Sequence, residues 1–272
     1  ADCAAVLDLI RGRDPLDSTT LELAAGSLLA GLTGQLRGVR IGLPAQCFTA
    51  QLQPQVGAAV HEAARALQAR GAVVEEFSLP GLECALAAYY VIACAEASSN
   101  LARFDGVKYG WRAKECRDLE GVYTATRSQG FGAEVKRRIL LGTFVLSEEC
   151  YDTYYQKALQ ARALVKAALD GAFARYDLLL TPVAPTTAPE LGVSLDDPLQ
   201  MYLGDLYTVP ANLAGLPALS MPCGLDDAGL PIGAQLIGPA LGDGMVLNAA
   251  HAFQQESGWH RLHPPCLAEG GG

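Results

Sequence analysis

GVRIGLPAQCFTAQLQPQVGAAVHEAARALQARGAVVEEFSL, residues 38–79, decides the fold class. Its opening, Gly38–Leu43, alternates apolar and polar residues at the two-residue period of a strand. Val56–Arg70 changes to the helical period, with Val56, Ala59, Val60, Ala63, Ala64 and Leu67 on one stripe. After Gly71 a second strand-like run, Ala72–Leu79, stops at Pro80. Strand, helix, strand in that order is the βαβ unit of a layered α/β sheet.

The flanks extend this pattern. Residues 1–11 (ADCAAVLDLIR) have helical spacing closed by Gly12 and Pro15. Leu82–Leu101 reads as an Ala-rich helix, followed by a polar, glycine-dotted stretch from Phe104 to Gly132. Further helices are predicted over Ala133–Leu146 and Tyr151–Arg175. Asp177–Leu180 reads as a short buried strand running into the proline-rich loop Pro182–Pro189. Ala218–Pro222 and Ile232–Ile237 read as paired strands around the Gly224–Gly229 turn region. A last helix is expected over Gly244–Gln255, with a disordered Gly-Gly-Gly tail. With no internal repeat and no linker, the expectation is one α/β domain, a mixed sheet covered by helices.

Composition excludes several classes. The 272 residues are 50% hydrophobic and 18% charged, which rules out a disordered chain. The net charge of −9 disfavours a leading role in gripping nucleic acid. No apolar run approaches the roughly 20 residues that span a bilayer. Eight cysteines without a C-x-x-C pair read as reduced thiols. The His260, His263, Cys266 cluster is too loosely spaced, with two prolines inside it, to be read as a zinc site, and no metal is expected.

The sequence has no G-x-S-x-G, no P-loop and no G-x-G-x-x-G, so pattern alone finds neither nucleophile nor nucleotide cradle. Two polar features stand out in apolar surroundings. Lys136-Arg137-Arg138 runs directly into Ile139-Leu140-Leu141. If that apolar turn faces the core, the three cations cannot all face solvent, and one points into a cleft; otherwise all three extend over a solvated edge. Asp205 stands in a stretch almost empty of other charge and must be paired or solvated in a pocket. A lone Arg and a lone Asp together could hold an α-carboxylate and an α-ammonium.

Those residues lie in blocks that resemble a known family. AYYVIACAEASSNLARFDGVKYG (88–110), GFGAEVKRRILLGTFVLSEECYDTYYQKA (130–158), TPVAPTTAPELG (181–192) and DPLQMYLGDLYTVPANLAGLPALSMPCG (197–224) resemble the amidase signature family. Within it they are most similar to the A subunits of bacterial glutamine-dependent aspartyl/glutamyl-tRNA amidotransferases. LPIGAQLIG (230–238) is shared more widely among amidases.

The resemblance implies an amidase-signature fold and a glutaminase. Such proteins hydrolyse glutamine with a serine nucleophile, a second serine on a cis peptide and a lysine. Released ammonia passes to a partner that uses ATP and Mg to amidate Glu-tRNA(Gln) or Asp-tRNA(Asn); the glutaminase itself needs no cofactor. The implied partners are the B and C subunits of the amidotransferase, glutamine, and aminoacyl-tRNA held mainly by the B subunit, in the cytoplasm and away from membranes. By motif position, Arg138 in KRRI is expected on the substrate α-carboxylate, Asp205 in YLGDL on the α-ammonium and Tyr89 in AYYVI on the pocket wall, with Arg137 and Tyr90 as adjacent alternatives. The catalytic Ser, Ser and Lys are expected upstream of Ala1. Residues 1–272 then form the C-terminal part of a single amidase domain, without its N-terminal part and inactive alone. The rival readings are a stand-alone amidase acting on another small amide, and a non-catalytic module binding an amino acid or a partner.

Overall fold

The strand–helix–strand signal resolves in the computed structural model into β1 (Arg40–Pro44), α2 (Pro54–Ala69) and β2 (Val73–Phe77), preceded by α1 (Asp2–Ile10). The structure describes residues 1–22, 26–192 and 203–264. β1 pairs with β2 in parallel, Ile41 opposite Val74, as the βαβ reading requires. β3 (Leu178–Pro182) joins the other side of β1 in parallel, with Ile41 opposite Leu178. β4 (Ala218–Leu225) and β5 (Pro231–Ile237) pair antiparallel, and β5 also runs antiparallel to β3. The described sheet has the order β2-β1-β3-β5-β4 and is mixed, as expected.

The residues explain the layering. Leu178, Leu179 and Leu180 of β3 are fully buried, so both faces of the central strand are covered and its sequence is continuously apolar rather than alternating. α2 lays Val56, Val60, Ala63, Ala64 and Leu67 on the sheet. Val246, Ala249, Ala250 and Phe253 of the C-terminal helix Asp243–Glu256 join the same core. Gly42 in β1 is required by close approach: a Cβ there would fall 2.7 Å from the Phe77 ring and 2.9 Å from the Tyr176 ring. A buried hydrogen-bonded pair crosses this core, where Gln235 Nε2 of β5 donates to Thr181 Oγ1 of β3 at 3.1 Å.

The chain divides into two compact units, one of Ala1–Leu82 with Lys166–Gly272, the other Glu83–Val165. The second is helical: α3 (Ala85–Leu101), α4 (Leu119–Gly130), α5 (Ala133–Val145), the short α6 (Glu148–Cys150) and a π-helical turn at Tyr151–Tyr155. α7 (Gln156–Phe173) follows directly. Among the described residues, α8 (Val209–Ala214) and α9 (Asp243–Glu256) follow, with a short 3-10 turn at Trp259–Arg261 after α9.

Two expectations are corrected here. The stretch from Phe104 to Gly132 is not irregular throughout, because Asp118 caps α4 by accepting from Gly121 N at 2.7 Å, and Val122 and Thr126 bury one face. The helix predicted over Tyr151–Arg175 begins with the π turn, and its α-helical part is Gln156–Phe173. The Gly-Gly-Gly tail and Cys266 lie outside the described residues.

Candidate substrate-binding site

In the helical unit α3 and α5 meet at a glycine. A Cβ on Gly142 would overlap the Cys94 carbonyl, and Ser98 Oγ lies 3.1 Å from Thr143 Oγ1. The same helix pair brings Arg138 beside Tyr90, with the guanidinium 5.8 Å from the ring centroid. The contacts 90/138, 94/142 and 98/143 advance in the same direction along both helices, so α3 and α5 run parallel.

Arg138 Nε donates to Glu134 Oε1 at 3.0 Å, and Arg138 is also hydrogen-bonded to Tyr89. The Glu134 carboxylate, more than Tyr89, pushes the guanidinium's pKa above its ordinary value, while burial pulls it down. Glu134 holds a second cation, accepting from Arg137 Nη1 at 2.6 Å. The Arg138 side chain is 31% exposed and that of Arg137 is 50% exposed. The structure thus brings Tyr89, Tyr90 and Arg138 together and puts Arg137 on the outer side of Glu134. Lys136 turns away, donating to the Ser128 carbonyl.

Of the two alternatives for Ile139-Leu140-Leu141, a core-facing turn and a solvated edge, the structure shows the solvated edge at Leu140 and Leu141. Leu140 is 71% exposed and Leu141 46%, and α5 buries Gly142 and Val145 instead. Arg138 is selected by its neighbours on α3, not by an apolar turn beneath it. The residue that sequence reading missed is Glu134, although its i,i+4 spacing to Arg138 was visible.

Asp205 belongs to the other unit, half-buried in the turn that leads into α8. Its carbonyl accepts from Thr208 N, Thr208 Oγ1 and Val209 N. The turn is pinned to the sheet because Tyr207 packs in the core and its carbonyl accepts from Gln235 Nε2 at 3.0 Å. This buried anchor was legible only as a polar residue inside the apolar LPIGAQLIG run.

Among other nucleophile candidates, the Cys47 and Cys223 thiols are each pushed up to about 12 by burial and stay protonated at neutral pH. Among the described residues no three His, Cys, Asp or Glu side chains are grouped to hold a metal ion, and no helix is long and apolar enough to cross a membrane.

A model of the amidase family matches residues 1–247. The chain belongs to the amidase family. The chain is 54% identical to the A subunit of the glutamyl-tRNA(Gln) amidotransferase of Lachnospira eligens, over 94% of this chain and 53% of that protein. It is 52% identical to the corresponding protein of Moorella thermoacetica, over 97% and 54%. Among solved structures, the A subunit of the Thermotoga maritima glutamyl-tRNA(Gln) amidotransferase superposes with a TM-score of 0.73 at 36% identity, covering 94% of this chain and 50% of its own. A bacterial aryl acylamidase of the amidase signature family gives a TM-score of 0.74 at 23% identity over 96% and 52%, a likeness of fold alone. The chain spans about half the length of the curated relatives it matches.

Proposed function

We propose that this amidase chain carries the glutamine-recognition part of a glutaminase, the A subunit of a tRNA-dependent amidotransferase. The observation that carries the reading is the partly buried Arg138 guanidinium, framed by Tyr89, Tyr90 and Glu134. A planar fork held in this way offers parallel N–H donors to a carboxylate, the group that distinguishes glutamine from a simple amide. By motif position alone, Asp205 is the residue assigned to the α-ammonium and Tyr89 the one assigned to the pocket wall. Both compact units belong, in this reading, to one amidase domain. The kinship with glutamyl-tRNA(Gln) amidotransferases supports glutamine over other amides.

The partners in this reading are the B and C subunits of the amidotransferase, with aminoacyl-tRNA bound mainly by the B subunit, where ATP and Mg are used, in the cytoplasm. No nucleophile is assigned within residues 1–272. The test is glutamine hydrolysis by the assembly recovered from source cells through a tag on this chain. Ammonia release from glutamine, with at least tenfold lower kcat/KM for an aliphatic primary amide lacking the α-groups, supports the reading. Equal activity on both substrates favours a stand-alone amidase and overturns it.

A further inference from the structure

We infer that Glu134 is a positioning residue, holding the Arg138 guanidinium by its Nε edge so that its remaining donors face the substrate carboxylate. The inference rests on the glutamine-site reading and deepens it. Its basis is geometric. Glu134 lies one helical turn before Arg138 on α5, and its Oε1 takes Arg138 Nε at 3.0 Å. Its Oε2 takes Arg137 Nη1 at 2.6 Å, so the carboxylate is held from both sides and is itself fixed. An arginine side chain has several rotatable bonds, and one charge-assisted bond at Nε removes much of that freedom before a ligand arrives. The guanidinium lies over the Tyr90 ring, 5.8 Å from its centroid, and Tyr89 also interacts with it.

A guanidinium has five N–H donors, and a bidentate carboxylate uses two of them in parallel. With Nε committed to Glu134, the edge formed by the two terminal nitrogens is the one suited to a substrate carboxylate. Glu134 also moderates the field, because its carboxylate binds both neighbouring guanidiniums and offsets part of their positive charge. Arg137 contributes only by holding the far oxygen of Glu134, and its truncation affects substrate less than loss of Glu134 does.

The experiment compares Glu134→Gln, Glu134→Ala and Arg138→Lys in the recovered assembly. Activity is measured with glutamine and with an aliphatic primary amide lacking the α-carboxylate, and thermal melting checks the fold. The expected result is a rise in KM for glutamine of about tenfold in Glu134→Ala and less in Glu134→Gln, which still accepts from Nε. kcat stays within about twofold, and the simple amide is unaffected. A structural defect would lower kcat for both substrates. Unchanged KM for glutamine in both Glu134 variants, beside a raised KM in Arg138→Lys, overturns this inference alone. A lowered KM in Glu134→Ala also overturns it, since Glu134 would then be a competitor for Arg138. If Arg138→Lys leaves KM unchanged as well, the glutamine-site reading falls and this inference falls with it.

Discussion

In the sheet unit, Leu178, Leu179, Leu180 and Leu236 are completely buried, whereas in the helical unit Trp111, Leu119, Leu140 and Phe144 are each more than half exposed. Charge divides as unevenly. Residues 83–165 contain eleven basic and ten acidic side chains, leaving nine basic and nineteen acidic for the rest of the chain. The acidic character of the whole sequence is therefore a property of the sheet unit. The sheet unit is held by an apolar core that hydrophobic period reveals. The helical unit includes a close contact of Gly142 on Cys94, and four of its polar side chains, Tyr89, Glu134, Arg137 and Arg138, form the Arg138 cluster.

The largest expected effect tests the sheet side of that contrast. Leu179→Ala removes a fully buried side chain between covered faces and should cost about 2–5 kcal/mol in chemical denaturation. In the helical unit the corresponding weak point is a residue without a side chain. Gly142→Ala forces α3 and α5 apart and should cost about 1–3 kcal/mol, with hydrogen exchange accelerating in Glu83–Val165 before the sheet. Uniform acceleration across both units would show that they do not open separately.

Arg138→Lys, which replaces the fork by a single ammonium, should raise the KM for glutamine by tenfold or more, equivalent to about 1.5–3 kcal/mol, with little change in melting temperature. A smaller, pH-dependent effect belongs to the sheet unit. Asp177 accepts from Arg40 N and from its guanidinium, and these bonds hold its carboxyl below the ordinary carboxylate range. Because the folded pKa is the lower one, this contribution is complete above pH of about 4, the unfolded value, and is lost as pH falls through the folded value. Melting temperature followed from pH 6 down to 2 should fall less steeply in Asp177→Asn than in the parent, and identical slopes would remove Asp177 from the acid response. The smallest effect is expected at the exposed apolar turn. Leu140→Ser should change stability by less than about 0.5 kcal/mol, and a large loss would mean that this face is covered in the functional assembly.

Legibility followed the same division. β1, α2 and β2 were readable because alternation and helical period are local properties of the chain, and five of the six stripe residues on α2 are buried, Ala59 being only partly so. α4 was missed because its glycine and polar content hid a capped helix with only a narrow buried face, Val122 and Thr126. α5 was placed correctly, but its buried side was left open by the sequence: the apolar turn 139–141 allowed a core face or a solvated edge, and the structure buries Gly142 and Val145 instead.

For the candidate site, the residues themselves marked the KRRI cations and Asp205 as unusual in their surroundings, and the family resemblance added Tyr89 and Tyr90. Adjacent positions on a helix point about 100° apart, so composition does not choose between Arg137 and Arg138, and motif position put Arg138 first with Arg137 as the alternative. That choice was made by the parallel packing of α3 against α5, which brings Arg138 to Tyr89 and Tyr90 and leaves Arg137 on the far side of Glu134. Periodicity along the chain fixed the α/β framework; only contact between distant segments decided which guanidinium is held, and by what.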